Sequence, residues 1–203
     1  MSTPPASPLS RCIQLFHNRW SVPIVATLYR ERGLTFAELS HRLSASRDTL
    51  TDTLTGLAIN GVVTHQPGAG LPPRPRYILT PSGEFVGEAC VGAVGVIVET
   101  GLRDVALKKW PMLVLIAAGR GATHFGELQA ALPGVTSRAL ALALKDLEMN
   151  GLVDRTIGDG YPPAPVYRLT LLGEALFPAM DVLATACERV PSPDRDGQEM
   201  TAR

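Results

Sequence analysis

Residues 70–84 read GLPPRPRYILTPSGE and residues 160–174 read GYPPAPVYRLTLLGE, with nine of fifteen positions identical at a separation of ninety. Self-similarity at a fixed offset marks a repeated structural unit, and it takes priority over any element-by-element reading. The same offset pairs Leu50, Leu54, Leu57, Asn60, Gly61 and Val63 with Leu140, Leu144, Leu147, Asn150, Gly151 and Val153, and pairs Trp20 with Trp110. The 203-residue chain is therefore one module written twice. Units this small bury a limited share of their surface alone, so each copy is expected to lean on the other.

Working outward from the quoted stretch, apolar positions at helical spacing predict a first helix over 9–20 and a second over 22–30. Thr35 and Glu38 have capping-box spacing ahead of a short helix, and Ser44 to Ser46 make a turn. The next helix, 47–60, carries Leu50, Leu54 and Leu57 on one stripe and stops at Gly61, where a left-handed residue belongs. Two short apolar segments around a Gly/Pro loop, 62–65 and 76–79, then read as a β-hairpin. A helix-turn-helix followed by a hairpin describes a winged helix. The fold class expected is mainly α with small β-hairpin wings, a tandem winged helix-turn-helix pseudo-dimer. Its parts are a mobile arm over 1–8, domains over 9–98 and 99–190, and a disordered tail over 191–203. At the junction, helices over 83–98 and 102–109 are read as nearly continuous, with a kinked, partly frayed linker as the alternative, and Gly87, Gly92, Gly95 and Gly101 as points of close approach by another helix.

Lysine plus arginine equals aspartate plus glutamate at nineteen each, which argues against strong sequence-independent nucleic-acid binding. The three cysteines have no CxxC spacing and no histidine partners at zinc-ligand distances, so neither a disulfide framework nor a metal site is expected, and no cofactor. No uncharged apolar run approaches the length of a bilayer span, and a cytoplasmic location is expected. His17, His41, His65 and His124 occur singly, without a nucleophile motif, phosphate loop or HExxH, so no catalytic residue is assigned.

Both copies resemble the HxlR family of bacterial winged-helix regulators, within the wider MarR-like group. The stretches that carry the resemblance are Arg19-Trp20, Phe36-Ala37-Glu38-Leu39, 57–63 and 72–83 in the first copy. In the second they are Lys109-Trp110, Phe125-Gly126-Glu127-Leu128, Gly134-Val135-Thr136, 147–153 and 162–173. The resemblance implies a DNA-binding transcriptional regulator and pairing through the first and last helices, as though a homodimer had been fused. Fusion frees the two half-sites from being identical. The family's N-terminal redox-sensing Cys-Pro falls on Ser7-Pro8, so thiol sensing at that position is lost, and Cys12 reads as buried filler.

Double-stranded DNA is the expected partner. In the first copy Ser46, Arg47, Thr49, Thr51, Thr53 and Thr55 present hydroxyls and charge, with Arg74 and Arg76 on the wing, whereas Asp48 and Asp52 repel phosphates. The second copy offers only Ser137, Arg138 and Lys145 on an otherwise apolar helix. A small apolar or aromatic metabolite is a second expected partner, against Trp20, Trp110, Phe16 and His17 in a groove between the copies. The alternative function is a winged-helix pair that has lost DNA binding and binds or transforms such a metabolite. Further homodimerisation of the pseudo-dimer is left open.

Overall fold

Apart from one short strand, the two copies have the same order of elements. In the first, α1 (Ser10–Leu15), α2 (Ser21–Glu31), β1 (Leu34–Thr35), α3 (Phe36–Leu43), α4 (Arg47–Ile59), β2 (Val63–Gln66), β3 (Arg76–Leu79) and α5 (Pro81–Glu99) follow one another. In the second come α6 (Arg103–Ala106), α7 (Lys109–Gly119), α8 (Phe125–Ala131), α9 (Ser137–Met149), β4 (Val153–Ile157), β5 (Pro165–Leu169) and α10 (Leu171–Glu188). The computed structural model describes residues 7–68 and 74–192. Most of the expected arm and tail, and the tip of the first wing, lie outside the described residues.

The repeated Leu-Thr-x-x-Gly is a joint between wing and last helix. Thr80 caps α5: its hydroxyl accepts from Gly83 N at 3.0 Å and donates to Gly61 O at 2.6 Å, and its own N–H donates to Val62 O. Thr170 repeats this on Gly173 and Gly151 at 3.1 and 2.6 Å. Both glycines are obligatory for a steric reason, since a Cβ on Gly83 would lie 2.1 Å from Val62 O and one on Gly173 would lie 2.2 Å from Leu152 O. The recognition-type helices α4 and α9 end alike, with Gly61 and Gly151 at φ +70° and +66°. Their N–H groups, and those of Val62 and Leu152, take up the last carbonyls of the helix.

In the first copy the strands form an antiparallel sheet in the order β1-β3-β2, registered Leu34 to Tyr77 and Val63 to Leu79. In the second, β4 pairs β5, and the counterpart of β1 shrinks to a single bridge from His124 to Val166.

The two copies share one core. α5 packs on α10 as well as on α2, and the first helix of each copy packs on the last helix of the other: α1 on α10, and α6 on α5. Phe16, Leu28, Ile97, Leu113, Ile116 and Leu183 belong to the same buried cluster. Arg11 ties the halves together with all of its donors. It donates to Val190 O and Pro191 O at the end of α10, to Asn60 O and Oδ1 at the end of α4, and to Gln14 Oε1.

Three sequence expectations need correction. The first helix stops at Leu15 rather than at 20, because Asn18 competes for the backbone and accepts from Trp20 N at 2.8 Å. The junction helices are not continuous: Gly101 at φ +70° ends α5, and α6 is a single turn. Of the junction glycines only Gly87 meets a neighbour, the Tyr29 ring, while nothing lies within 4 Å of a Cβ built on Gly92 or Gly95. Helix α5, nineteen residues long with a mean hydropathy of 1.3, is interrupted by Glu84 and Glu88 and is a packing helix seated on α2 and α10.

Candidate nucleic-acid interface and adjoining cavities

Each helix-turn-helix places its second helix with a capped N terminus. Ser46 caps α4, its hydroxyl accepting from Thr49 N at 3.3 Å and donating to Thr49 Oγ1 at 2.8 Å. That hydroxyl therefore serves the helix as well as any phosphate. In α9 the cap is Thr136, accepting from Ala139 N at 3.1 Å, and Ser137 is the first helical residue. Arg47 consequently corresponds to Ser137, and Arg138 to Asp48, so the two helices do not present cations at matching positions.

On α4 the exposed side is polar from Arg47 to Thr55 and apolar at its far end, where Ile59, the counterpart of Met149, is 65% exposed. Arg47 is exposed with its guanidinium 5.7 Å from the centre of the Phe36 ring, which holds it at the mouth of the turn. Thr49 is half-buried, while Thr51 and Thr55 are exposed, and Thr51 Oγ1 donates to Arg47 O at 2.9 Å. Asp48 and Asp52 are exposed on the same helix. Thr53 is not a contact residue: fully buried, its hydroxyl donates to Thr49 O and accepts from Asn18 Nδ2, both at 2.7 Å. On the wing Arg74 is exposed, whereas Arg76 spends one guanidinium nitrogen on Gly33 O and so fastens β3 to the end of α2.

The outer side of α9 differs. Arg138 and Lys145 are exposed, with Ala141 and Leu142 between them, the latter 55% exposed, and Met149 at the far end 75% exposed. Ser137 Oγ accepts from Gln129 Nε2 at 3.2 Å.

The aromatic residues do not share one groove. Trp20 lines a cavity of about 440 Å³ between α2, the end of α3, α5 and α6. Trp110 lines a separate depression of about 250 Å³ against α9, beneath Lys109 Nζ at 4.7 Å from its ring. Phe16 is 1% exposed and belongs to the core. His17 packs its ring on α4, where a Cβ on Gly56 would meet it at 2.4 Å, and its Nε2 lies 3.1 Å from Asn18 Nδ2. Burial, with Lys109 nearby, pushes the His17 imidazole below its ordinary value. His124 is likewise structural: its N–H donates to Glu127 Oε2 at 2.9 Å at the start of α8.

Sequence reasoning passed over Arg11 and the arginines around the Trp20 cavity. The signal for the latter was present as mismatches between the copies, Pro23 against Leu113 and Ala26 against Ile116.

A family model described as HxlR-like helix-turn-helix matches residues 15–94 and again residues 105–194. A protein of Methanothermobacter thermautotrophicus, named as an uncharacterized HTH-type transcriptional regulator, is 34% identical over 86 residues, which span 42% of this chain and 65% of that one. YvaP of Bacillus subtilis (strain 168), named in the same way, is 36% identical over 77 residues, 38% of this chain and 71% of that one. The chain thus covers just under two thirds of the Methanothermobacter protein, and each match is the length of a single copy. Among solved structures, a transcriptional regulator of the MarR family from Enterococcus faecalis V583 is 33% identical over 45% of this chain and 74% of that chain. Its TM-score of 0.35 is too low to bear on shape. The two family matches together cover most of the chain, and the protein belongs to the HxlR-like helix-turn-helix family, with the family's unit carried twice in one polypeptide.

Proposed function

We propose that this protein is a cytoplasmic, DNA-binding transcriptional regulator that reads an asymmetric site, with its two winged-helix domains, 9–98 and 99–190, contributing unequally. The observation that carries the reading is the contrast between the two presented helices. On α4, Arg47, Thr51 and Thr55 stand out toward solvent, as base-edge or phosphate contacts require, whereas at the matching turns α9 offers Arg138 and Lys145 around exposed Ala141 and Leu142. Arg74 on the first wing adds a backbone contact. A small molecule tunes the affinity by acting where the winged units meet the packing helices. The neutral overall balance favours the competing reading, a pair that has given up DNA, and one assay separates the two.

Fluorescence anisotropy of a labelled fragment from upstream of the protein's own gene tests the proposal. Binding that survives excess unrelated DNA, and that weakens about tenfold on Arg47→Ala, is the expected result. Absence of binding to that fragment even at low salt would overturn it.

A further inference from the structure

We infer that the cavity beside Trp20 binds a small amphipathic carboxylate, and that only the first copy has such a site. This names the position and chemistry of the ligand in the reading above and rests on its ligand-responsive part. The cavity, about 440 Å³, has the size of a site for a small organic molecule. Its wall is apolar, with Trp20, Ala26, Val94 and Ile97, and its rim carries Arg19, Arg30, Arg42 and Arg103 against Asp104 alone. Arg19 is paired with Asp104 at 2.9 Å and Arg42 with Glu31 at 2.7 Å. Arg30 and Arg103 have no carboxylate partner among the described residues. Two uncompensated guanidinium groups beside an apolar, aromatic wall suit a molecule with one anionic end and a flat apolar body.

The second copy supplies an internal comparison. Ninety residues on, Pro23 and Ala26 become Leu113 and Ile116, both fully buried. Arg30 becomes Arg120, which is held by Asp181 at 2.7 Å and Glu188 at 3.0 Å. The first-copy counterparts of those two carboxylates are Val91 and Val98. On the same scaffold, then, one copy fills the space and neutralises the arginine, while the other lacks both the bulk and the counter-charges. A gap left by chance in packing gives no reason for the carboxylates to be missing as well.

The position suits control of DNA binding. Arg42 and Leu43 close α3 just before the turn into α4, and Arg103 and Leu107 lie in the connection to the second copy. A molecule seated here touches both the first reading head and the link that carries the second.

Isothermal titration calorimetry of the full chain without DNA, using 2-naphthoate and its neutral isostere 2-naphthamide, decides the matter. The expected result is one site per chain, with the acid binding at least about tenfold more tightly than the amide. Arg30→Gln should reduce that preference, and Arg30→Gln combined with Arg103→Gln should remove it and leave the amide unchanged. Ala26→Ile, which installs the second copy's residue, should weaken both ligands about tenfold. Equal affinity for acid and amide, two sites per chain, no heat at all, or a preference that survives the double arginine substitution would each overturn the inference; should Ala26→Ile unfold by circular dichroism, the arginine substitutions still decide. Anisotropy on ligand-free protein is independent of this outcome. Intact DNA binding without naphthoate binding sinks only the cavity, and the reverse sinks only the regulator.

Discussion

A methyl group added at Gly83 or Gly173 would press against the backbone carbonyl of Val62 or Leu152. Backbone cannot swing aside as a side chain can. Gly83→Ala and Gly173→Ala should each lower stability by about 2–3 kcal/mol in urea denaturation. Gly92→Ala, on the same helix but with open space at its Cβ, should instead raise it, by up to about 1 kcal/mol. An equal loss at Gly83 and Gly92 would show that helix propensity, not the wing joint, explains the repeated glycine. His17 gives a pH dependence whose sign follows from its environment. Its folded-state value lies below the ordinary 6.5, so as pH falls through that value the unfolded chain takes up the proton first. Stability present at neutral pH is therefore lost toward the lower folded value. His17→Gln should flatten the difference between urea midpoints at about pH 7 and about pH 5.5 relative to the parent.

Helices α1, α4 and α10 meet at Arg11, and the guanidinium joins three helix ends that no hydrophobic stripe would align on its own. Arg11→Met keeps the apolar stem and strands the carbonyls of Asn60 and Val190. A loss of about 2–4 kcal/mol is expected, together with earlier hydrogen exchange at the C-terminal turn of α10. Exchange rising uniformly across the chain would mean that the clamp is not local. The caps and C-terminal glycines of α4 and α9 are alike, so the contrast between these helices lies wholly in their outer faces. Leu142→Ser should accordingly leave DNA affinity within about twofold, against the larger effect expected at Arg47.

The fused pair has a single core running through both copies, with α5 on α10 at its centre. Cutting the chain at the junction exposes that surface on each half. Fragments 1–100 and 101–203, made separately, should be poorly folded alone and should associate one to one on mixing, as read by circular dichroism and sedimentation. Fully folded, monomeric fragments would contradict a shared core. Charge sets a second property of the assembly. Arg76 is committed to Gly33, and on the recognition-type helices and the first wing the described residues then offer Arg47, Arg74, Arg138 and Lys145 as cations. Four such contacts put the salt slope of DNA binding at about −3.6 in log K against log salt.

The duplication, the winged-helix order and the end of each recognition helix were decided by the amino-acid sequence alone. Each rests on short-range physics: a threonine hydroxyl reaching three residues on, a glycine where a Cβ would strike a carbonyl, leucines one helical turn apart. Which side chains are available to act was decided only by tertiary packing. Thr53 and Thr51 look equivalent on the helix, yet Asn18 from another element buries the first. Trp20 and Trp110 are matched in the repeat, yet they line different cavities. The cavity beside Trp20 exists because two helices meet there without the bulk that their counterparts carry, and a void between elements is a property of their arrangement, which no single stretch of chain contains.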